Sequence, residues 1–179
     1  MFFKKLHTPE YQVVGDEIAV IETSKGVIRV RLDGDGAPIH VANFCELSVM
    51  GFYDGLKFHR YVPGFVIQGG CPNTRDMTCE QVAAGVAGPD GQPGTGGPGW
   101  SIKEEFSTNP RNSHEDGALA MARSMDPNSA GSQFYFCLGP QHNLDSGYTV
   151  FGSTIEGKDV IAALRAGDEI VRVEIVHEA

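Results

Sequence analysis

The stretch Phe58-His59-Arg60-Tyr61-Val62-Pro63-Gly64-Phe65-Val66-Ile67-Gln68-Gly69-Gly70 sets polar side chains into an otherwise apolar run. Phe65 to Gln68 reads as a short strand, bounded by Pro63-Gly64 and by Gly69-Gly70. Arg60 and Gln68 flank it, eight residues apart. Burying either group without a partner is expensive. The two must therefore satisfy each other or meet a ligand.

Outward from this stretch the pattern is mostly β. Glu17–Thr23 and Val27–Leu32 are β-rich runs separated by Ser24-Lys25-Gly26. In the second run Ile28, Val30 and Leu32 alternate with Arg29 and Arg31, as in a hairpin with one wet face. Ala118–Ala122, Phe134–Leu138 and Thr149–Ile155 read as further strands, and of Phe134, Tyr135 and Phe136 two should face a core. Val171, Val173 and Ile175 alternate with Arg172 and Glu174 in a closing strand. Two helices are expected. One starts at Pro38, carries Val41, Phe44 and Cys45 on one face and stops at Gly51; the other spans Lys158–Ala166 and stops at Gly167. Gly85–Gly99 reads as an extended surface loop, preceded by a capping-box spacing at Thr78-Cys79-Glu80-Gln81 and by Val82-Ala83-Ala84, enough for one or two helical turns. Many short strands with two helices suggest a β-barrel or sandwich with helical plugs.

With 179 residues the chain fits one domain. Its 23 glycines and 10 prolines exceed the usual share of roughly 12% and argue against a helical bundle. A net charge of −9, from 14 Lys+Arg and 23 Asp+Glu, disfavours nucleic acid and anionic membranes as partners. Lys4-Lys5 is followed by no apolar stretch of signal-peptide type, so a cytoplasmic location is expected. Cys45, Cys71, Cys79 and Cys137 form no metal-finger spacing and read as reduced thiols; a Cys71–Cys79 bridge is the oxidised alternative. None of the six histidines lies in a metal-ligand motif, so no metal or other cofactor is expected. Gly94-Thr95-Gly96-Gly97 lacks the Lys-Ser/Thr of a phosphate loop, and there is no G-x-S-x-G elbow. Glu104-Glu105 reads as a solvated pair.

Two other segments share the character of the first: Gly117-Ala118-Leu119-Ala120-Met121-Ala122-Arg123 with Gly131-Ser132-Gln133-Phe134-Tyr135-Phe136 downstream, and Asn143-Leu144-Asp145-Ser146-Gly147-Tyr148-Thr149-Val150-Phe151-Gly152. In content, order and rough spacing the three together resemble the cyclophilin family of peptidyl-prolyl cis–trans isomerases, over about Glu17 to His177. The resemblance implies a mainly β fold: a closed eight-stranded antiparallel barrel capped by two α-helices. It divides the chain into an N-terminal extension, 1–16, and a domain, 17–179, with a loop insertion at about 72–93.

Isomerising X–Pro means twisting an amide across a barrier of ~18–20 kcal/mol. A catalyst needs only to bind the twisted amide better than the planar one. The resemblance makes Arg60 the donor to the prolyl nitrogen, which regains a lone pair as it twists. Gln68 then orients Arg60. Phe65, Val66, Tyr135, Leu144 and Tyr148 become the proline pocket. Ala122 and Arg123 hold the substrate chain, Arg123 through its backbone, and Gln133 is a further substrate contact. Well-known members carry methionine at Val66, asparagine at Arg123, phenylalanine at Tyr135, tryptophan at Asn143 and histidine at Tyr148. Losing the indole at Asn143 implies weak cyclosporin binding. The implied partners are proline-containing peptides and unfolded proteins, met by a monomer. A module that grips proline segments with little turnover is the alternative; retention of Arg60 favours the enzyme.

Overall fold

Thr23 and Gly26 close the first hairpin. Strand β1 (Glu17–Thr23) pairs antiparallel with β2 (Gly26–Leu32), and the Thr23 hydroxyl donates to the Gly26 carbonyl at 2.8 Å. In the computed structural model, which describes residues 5–178, this hairpin belongs to an eight-stranded sheet. The others are β3 (Arg60–Val62), β4 (Val66–Gly69), β5 (Ala118–Met121), β6 (Phe134–Cys137), β7 (Val150–Glu156) and β8 (Ile170–His177). The order is β3-β4-β6-β5-β7-β2-β1-β8, every pairing antiparallel. Seven of these strands fall where alternation or apolar runs place them. β3 was not expected from local pattern, because three residues ending at Pro63 are too short to show one.

The closed barrel does not form. The edge strands β3 and β8 are not paired, and the sheet curls around the core as an open half-barrel. β3 is too short to lie along β8 and spends its hydrogen bonds on β4. Across the seam the segment before β3 meets the first residue of β8 and the turn that leads into it. Gly55 N–H donates to Ile170 O, Ile170 N–H to Leu56 O, Phe58 N–H to Asp168 O and Gly167 N–H to Phe58 O, at 2.8–2.9 Å.

Among the described residues there are three α-helices, not two: α1 (Pro38–Val49), α2 (Cys79–Ala83) and α3 (Lys158–Ala163). α1 has no capping side chain of its own. Glu105 does that work from far along the chain. Its carboxylate accepts from Ile39 N–H (3.1 Å) and His40 N–H (2.7 Å), and also bonds His40 Nδ1 (2.7 Å). A helix N-terminus offers unpaired N–H donors and a partial positive charge, and a carboxylate satisfies both. Glu105 is thus buried, which overturns the solvated-pair expectation; Glu104 stays at the surface and caps Ser107. α2 carries the expected reciprocal cap between Thr78 and Gln81. α3 ends at Ala163, three residues early, because buried Leu164 turns into extended backbone to reach the core.

The main core lies inside the curled sheet and under α1. Phe44, Tyr53, Phe58, Phe134, Phe136 and Phe151 are fully buried there in tilted and edge-to-face pairs. Each such ring contributes about 1.5–3 kcal/mol by leaving water. Met77 and Val82 pin the 72–93 segment onto the domain. Of the N-terminal extension, residues 1–4 lie outside the described residues. The remainder packs down: Tyr11 and Val13 touch the core, and His7 stacks on Trp100 at 4.1 Å while bonding Glu46 at 2.7 Å. All four cysteines are free.

Candidate active site

Alternation along three neighbouring strands separates scaffold from site. In β4, Ile67 faces the main core while Val66 and Gln68 face outward; in β6, Phe134 and Phe136 face in and Tyr135 and Cys137 out; in β5, Leu119 and Met121 face in and Ala118 and Ala120 out. The register then lines up Arg60 opposite Gln68, Gln68 opposite Tyr135, and Tyr135 opposite Ala120. One row across the outer face therefore runs from a guanidinium to an apolar floor. Loops close over that floor and add Phe65, Ala122, Leu144 and Tyr148. Gly70, just after β4, has a φ of +89°, and a Cβ there would stand 2.6 Å from Ser132 O, so only glycine lets this turn approach the segment that leads into β6.

The result is a cavity of about 190 Å³ lined by every expected site residue but one: Arg60, Phe65, Val66, Gln68, Ala122, Arg123, Tyr135, Leu144 and Tyr148. Gln133 lies in the adjoining cavity of about 570 Å³, which shares Gln68, Ala122 and Arg123 and is walled by Gly94–Trp100. Arg60 Nη1 donates to Gln68 Oε1 at 3.5 Å, and its guanidinium lies 6.0 Å from the Phe65 ring centre. That hydrogen bond is at the long limit, so it orients the guanidinium and leaves most of its five donors uncommitted. Gln68 Nε2 donates to Gln133 Oε1 (3.0 Å), and Gln133 Nε2 donates to the carbonyls of Gly94 (2.9 Å) and Gly96 (2.8 Å). The glycine-rich loop is thereby tied to Gln68. The same loop is held from below, where Cys71 Sγ accepts from Gly94 N–H and Gly96 N–H at 3.2 and 3.3 Å.

Beneath the floor lies a hydrogen-bonded chain that no local motif announced. The Tyr135 hydroxyl meets His114 Nε2 at 2.8 Å, His114 Nδ1 meets Asp145 Oδ1 at 2.8 Å, and the other Asp145 oxygen meets His142 Nδ1 at 3.0 Å. Burial holds the His114 ring below its ordinary pKa, against the opposing pull of Asp145. The neutral ring donates from Nδ1 to the carboxylate and accepts the tyrosine proton at Nε2. Burial above all pushes the Tyr135 phenol well up, so it stays protonated. Burial also works on Asp145, but the His114 N–H, the His114 ring and His142 outweigh it and keep that carboxylate below the usual range. The chain fixes Tyr135 and binds the turn bearing Leu144 and Tyr148 to the sheet. His114 is 21 residues from Tyr135 and 31 from Asp145, so sequence spacing carried no signal for it. His59, beside Arg60, has a buried Nδ1 without a partner among the described residues; burial, then Arg60, depress its pKa to about 4.

For metal binding, the described residues offer one grouping, Asp16, Glu17 and His177. Its members are already engaged: His177 Nδ1 bonds Asp16 Oδ1, and Glu17 accepts from Val14 N–H and Gly15 N–H. None of the three lines the cavity.

A curled β half-barrel whose outer face joins a guanidinium, an amide and a ring-sized apolar cavity is a cyclophilin, and the comparisons agree. The family model for cyclophilin-type peptidyl-prolyl cis-trans isomerase/CLD matches residues 18–177, and the chain belongs to that family. It is 44% identical over 163 residues to a peptidyl-prolyl cis-trans isomerase of Synechococcus elongatus, covering 90% of this chain and 97% of the relative. Peptidyl-prolyl cis-trans isomerase B of Bacillus subtilis is 40% identical over 148 residues, 83% of this chain and 90% of the relative. Among solved structures, a Cryptosporidium parvum cyclophilin-type isomerase in the presence of the dipeptide Ala-Pro superposes with a TM-score of 0.69 at 26% identity, over 90% of this chain and 99% of that one. The protein is a peptidyl-prolyl cis–trans isomerase of the cyclophilin type.

Proposed function

We propose that isomerisation takes place at the 190 Å³ cavity, with Arg60 as the catalytic donor, Gln68 as its positioning residue, and Phe65, Val66, Tyr135, Leu144 and Tyr148 as the seat of the proline ring. The observation that carries the reading is Arg60: a guanidinium with no carboxylate within 4.0 Å among the described residues, at the rim of an apolar cavity. Drug-sized ligands need roughly 300–1,000 Å³, so a cavity of about 190 Å³ suits one small ring. A planar imide nitrogen is a poor acceptor. In the twisted state its lone pair is free, and a hydrogen bond from Arg60 forms there and not in the ground state, which is the differential binding a faster rate requires. Arginine suits the task because it stays charged and presents rigid donors. The main chain at Ala122 and Arg123 binds the flanking peptide, and Gln133 supports it through Gln68. The substrates are proline-containing segments of peptides and unfolded proteins, a reading supported by the relative solved in the presence of Ala-Pro.

Turnover of an Ala-Pro peptide, followed by wild type and Arg60→Lys, tests the assignment. Lysine keeps the charge but loses the planar fork, so most of the acceleration should disappear; a rate equal to wild type would remove Arg60 from the role. Asn143 is exposed on the turn beside Leu144. It offers little apolar area where the resemblance implies an indole against cyclosporin. Inhibition by the drug should accordingly be weak and should tighten in Asn143→Trp.

A further inference from the structure

We infer that the groove selects proline segments that carry an acidic side chain next to the proline, and that Arg123 reads this charge. The inference rests on the proposed proline site and names the class of chain that site accepts. The chain is acidic, with a net charge of −9. Yet the residues lining the two joined cavities include Arg60 and Arg123 and not one carboxylate. Three arginines elsewhere are paired with carboxylates, Arg29 with Glu156 and Glu178, Arg111 with Asp33, and Arg172 with Glu22 and Glu174, while Arg31, Arg75 and Arg165 are held by backbone carbonyls and lie outside the two cavities. Arg123 has no such partner among the described residues.

Arg123 is also held still at the right place. It lines both cavities, so it stands where a chain leaving the proline pocket passes. Nε donates to Gly147 O at 2.7 Å, and Nη1 donates to Ser124 O at 2.9 Å and to Met125 O at 3.4 Å. The guanidinium lies 4.7 Å from the Tyr148 ring centre and 5.6 Å from that of Phe106. Every one of these partners is neutral, so the charge is positioned without being cancelled, and Nη2 makes no hydrogen bond to the described residues. A side chain already immobilised loses little further entropy when it binds a carboxylate. Asp126, the nearest acid in sequence, accepts from Asn128 N–H, Asp145 is taken up by His114 and His142, and neither these nor Glu115 and Asp116 line the groove. The overall negative charge does repel an acidic peptide at a distance. At physiological salt, however, that repulsion is screened beyond about 8 Å, and at contact range the groove presents two cations.

The test uses three peptides identical except for Glu, Gln or Lys immediately before proline, and a second set with the same residues immediately after it. Catalysed exchange is measured by NMR and normalised to the uncatalysed rate. In at least one set, wild type should favour Glu over Lys by about tenfold at low salt, the scale of two exposed charge contacts, and the ratio should shrink in 0.5 M salt. Arg123→Gln should cut the ratio by more than half, Arg123→Lys should keep most of it, and Arg123→Glu should reverse it. A clamp that only holds the Gly147 turn would slow all peptides by one factor and leave the ratio intact, which overturns the proposal. Equal rates on Glu and Lys peptides by an active wild type overturn it alone and leave the proline site standing; no turnover on any peptide overturns both. Should the variants not fold, a wild-type Glu-to-Lys ratio unmoved by salt overturns the proposal by itself.

Discussion

Strands β4, β5 and β6 carry two surfaces that obey different rules. Their inner face holds Ile67, Leu119, Met121, Phe134 and Phe136, all fully buried and apolar. Their outer face, one residue out of phase, holds Gln68 and Tyr135 among Val66, Ala118 and Ala120, under a thin cover of loop side chains. Inner positions are interchangeable in chemistry but not in volume. Outer positions are each specified by a group: an amide that holds a guanidinium, a phenol anchored to a buried histidine. The rigidity the outer face needs is supplied by the inner one, at a distance of a single peptide unit.

The two faces should separate cleanly under mutation. Phe136→Ala empties a fully buried site in the aromatic cluster and should cost about 3–5 kcal/mol of stability, read from urea unfolding, with turnover per folded molecule largely retained. If stability held and activity collapsed, the division between faces would be wrong. Arg60→Ala should do the reverse: kcat/KM falls by about 10²-fold, roughly 2.7 kcal/mol, as for loss of one transition-state donor, with the melting temperature unchanged because Arg60 is exposed. A large drop in melting temperature would instead make Arg60 a structural residue.

His59 sharpens the contrast, because it is a polar ring in an inner-type environment with a pKa near 4. Its unfolded pKa is about 6.5. The folded value is depressed, so the unfolded chain binds the extra proton first. Stability from the neutral ring is therefore complete above about pH 6.5 and is lost as pH falls toward 4. His114 shifts in the same direction. Denaturant midpoints at pH 7, 5.5 and 4.5 should decline, and less steeply in His59→Asn; equal slopes would clear His59. The smallest effect belongs to Tyr135→Phe. The ring stays, but His114 Nε2 loses its donor, at about 1 kcal/mol of stability, while kcat/KM changes by a smaller factor than in Arg60→Ala. A variant as stable as wild type would show that the hydroxyl anchors nothing.

Local periodicity made much of this legible. The alternation of Phe134, Tyr135 and Phe136 put two rings inward and one outward, as observed. Gly51 adopts the left-handed conformation (φ +73°) that ends α1, and the Thr78–Gln81 spacing forms its reciprocal cap. The quoted site residues gather around two joined cavities because strand register carries them there. These features depend on neighbours within a few residues, and side-chain pattern reports such neighbours directly.

What only the tertiary structure decided depends on contacts between distant segments. Whether the sheet closes turned on the length of β3 and on what lies across from it, and the edges remain unpaired. Glu105 caps α1 from more than sixty residues away, although its own neighbourhood reads as solvated. The Tyr135–His114–Asp145 chain and the uncancelled charge of Arg123 exist because three loops fold over one face of the sheet. Periodicity determines which way a side chain points. Which partner it meets there is set by loop closure over tens of residues, and no spacing in the sequence encodes that distance.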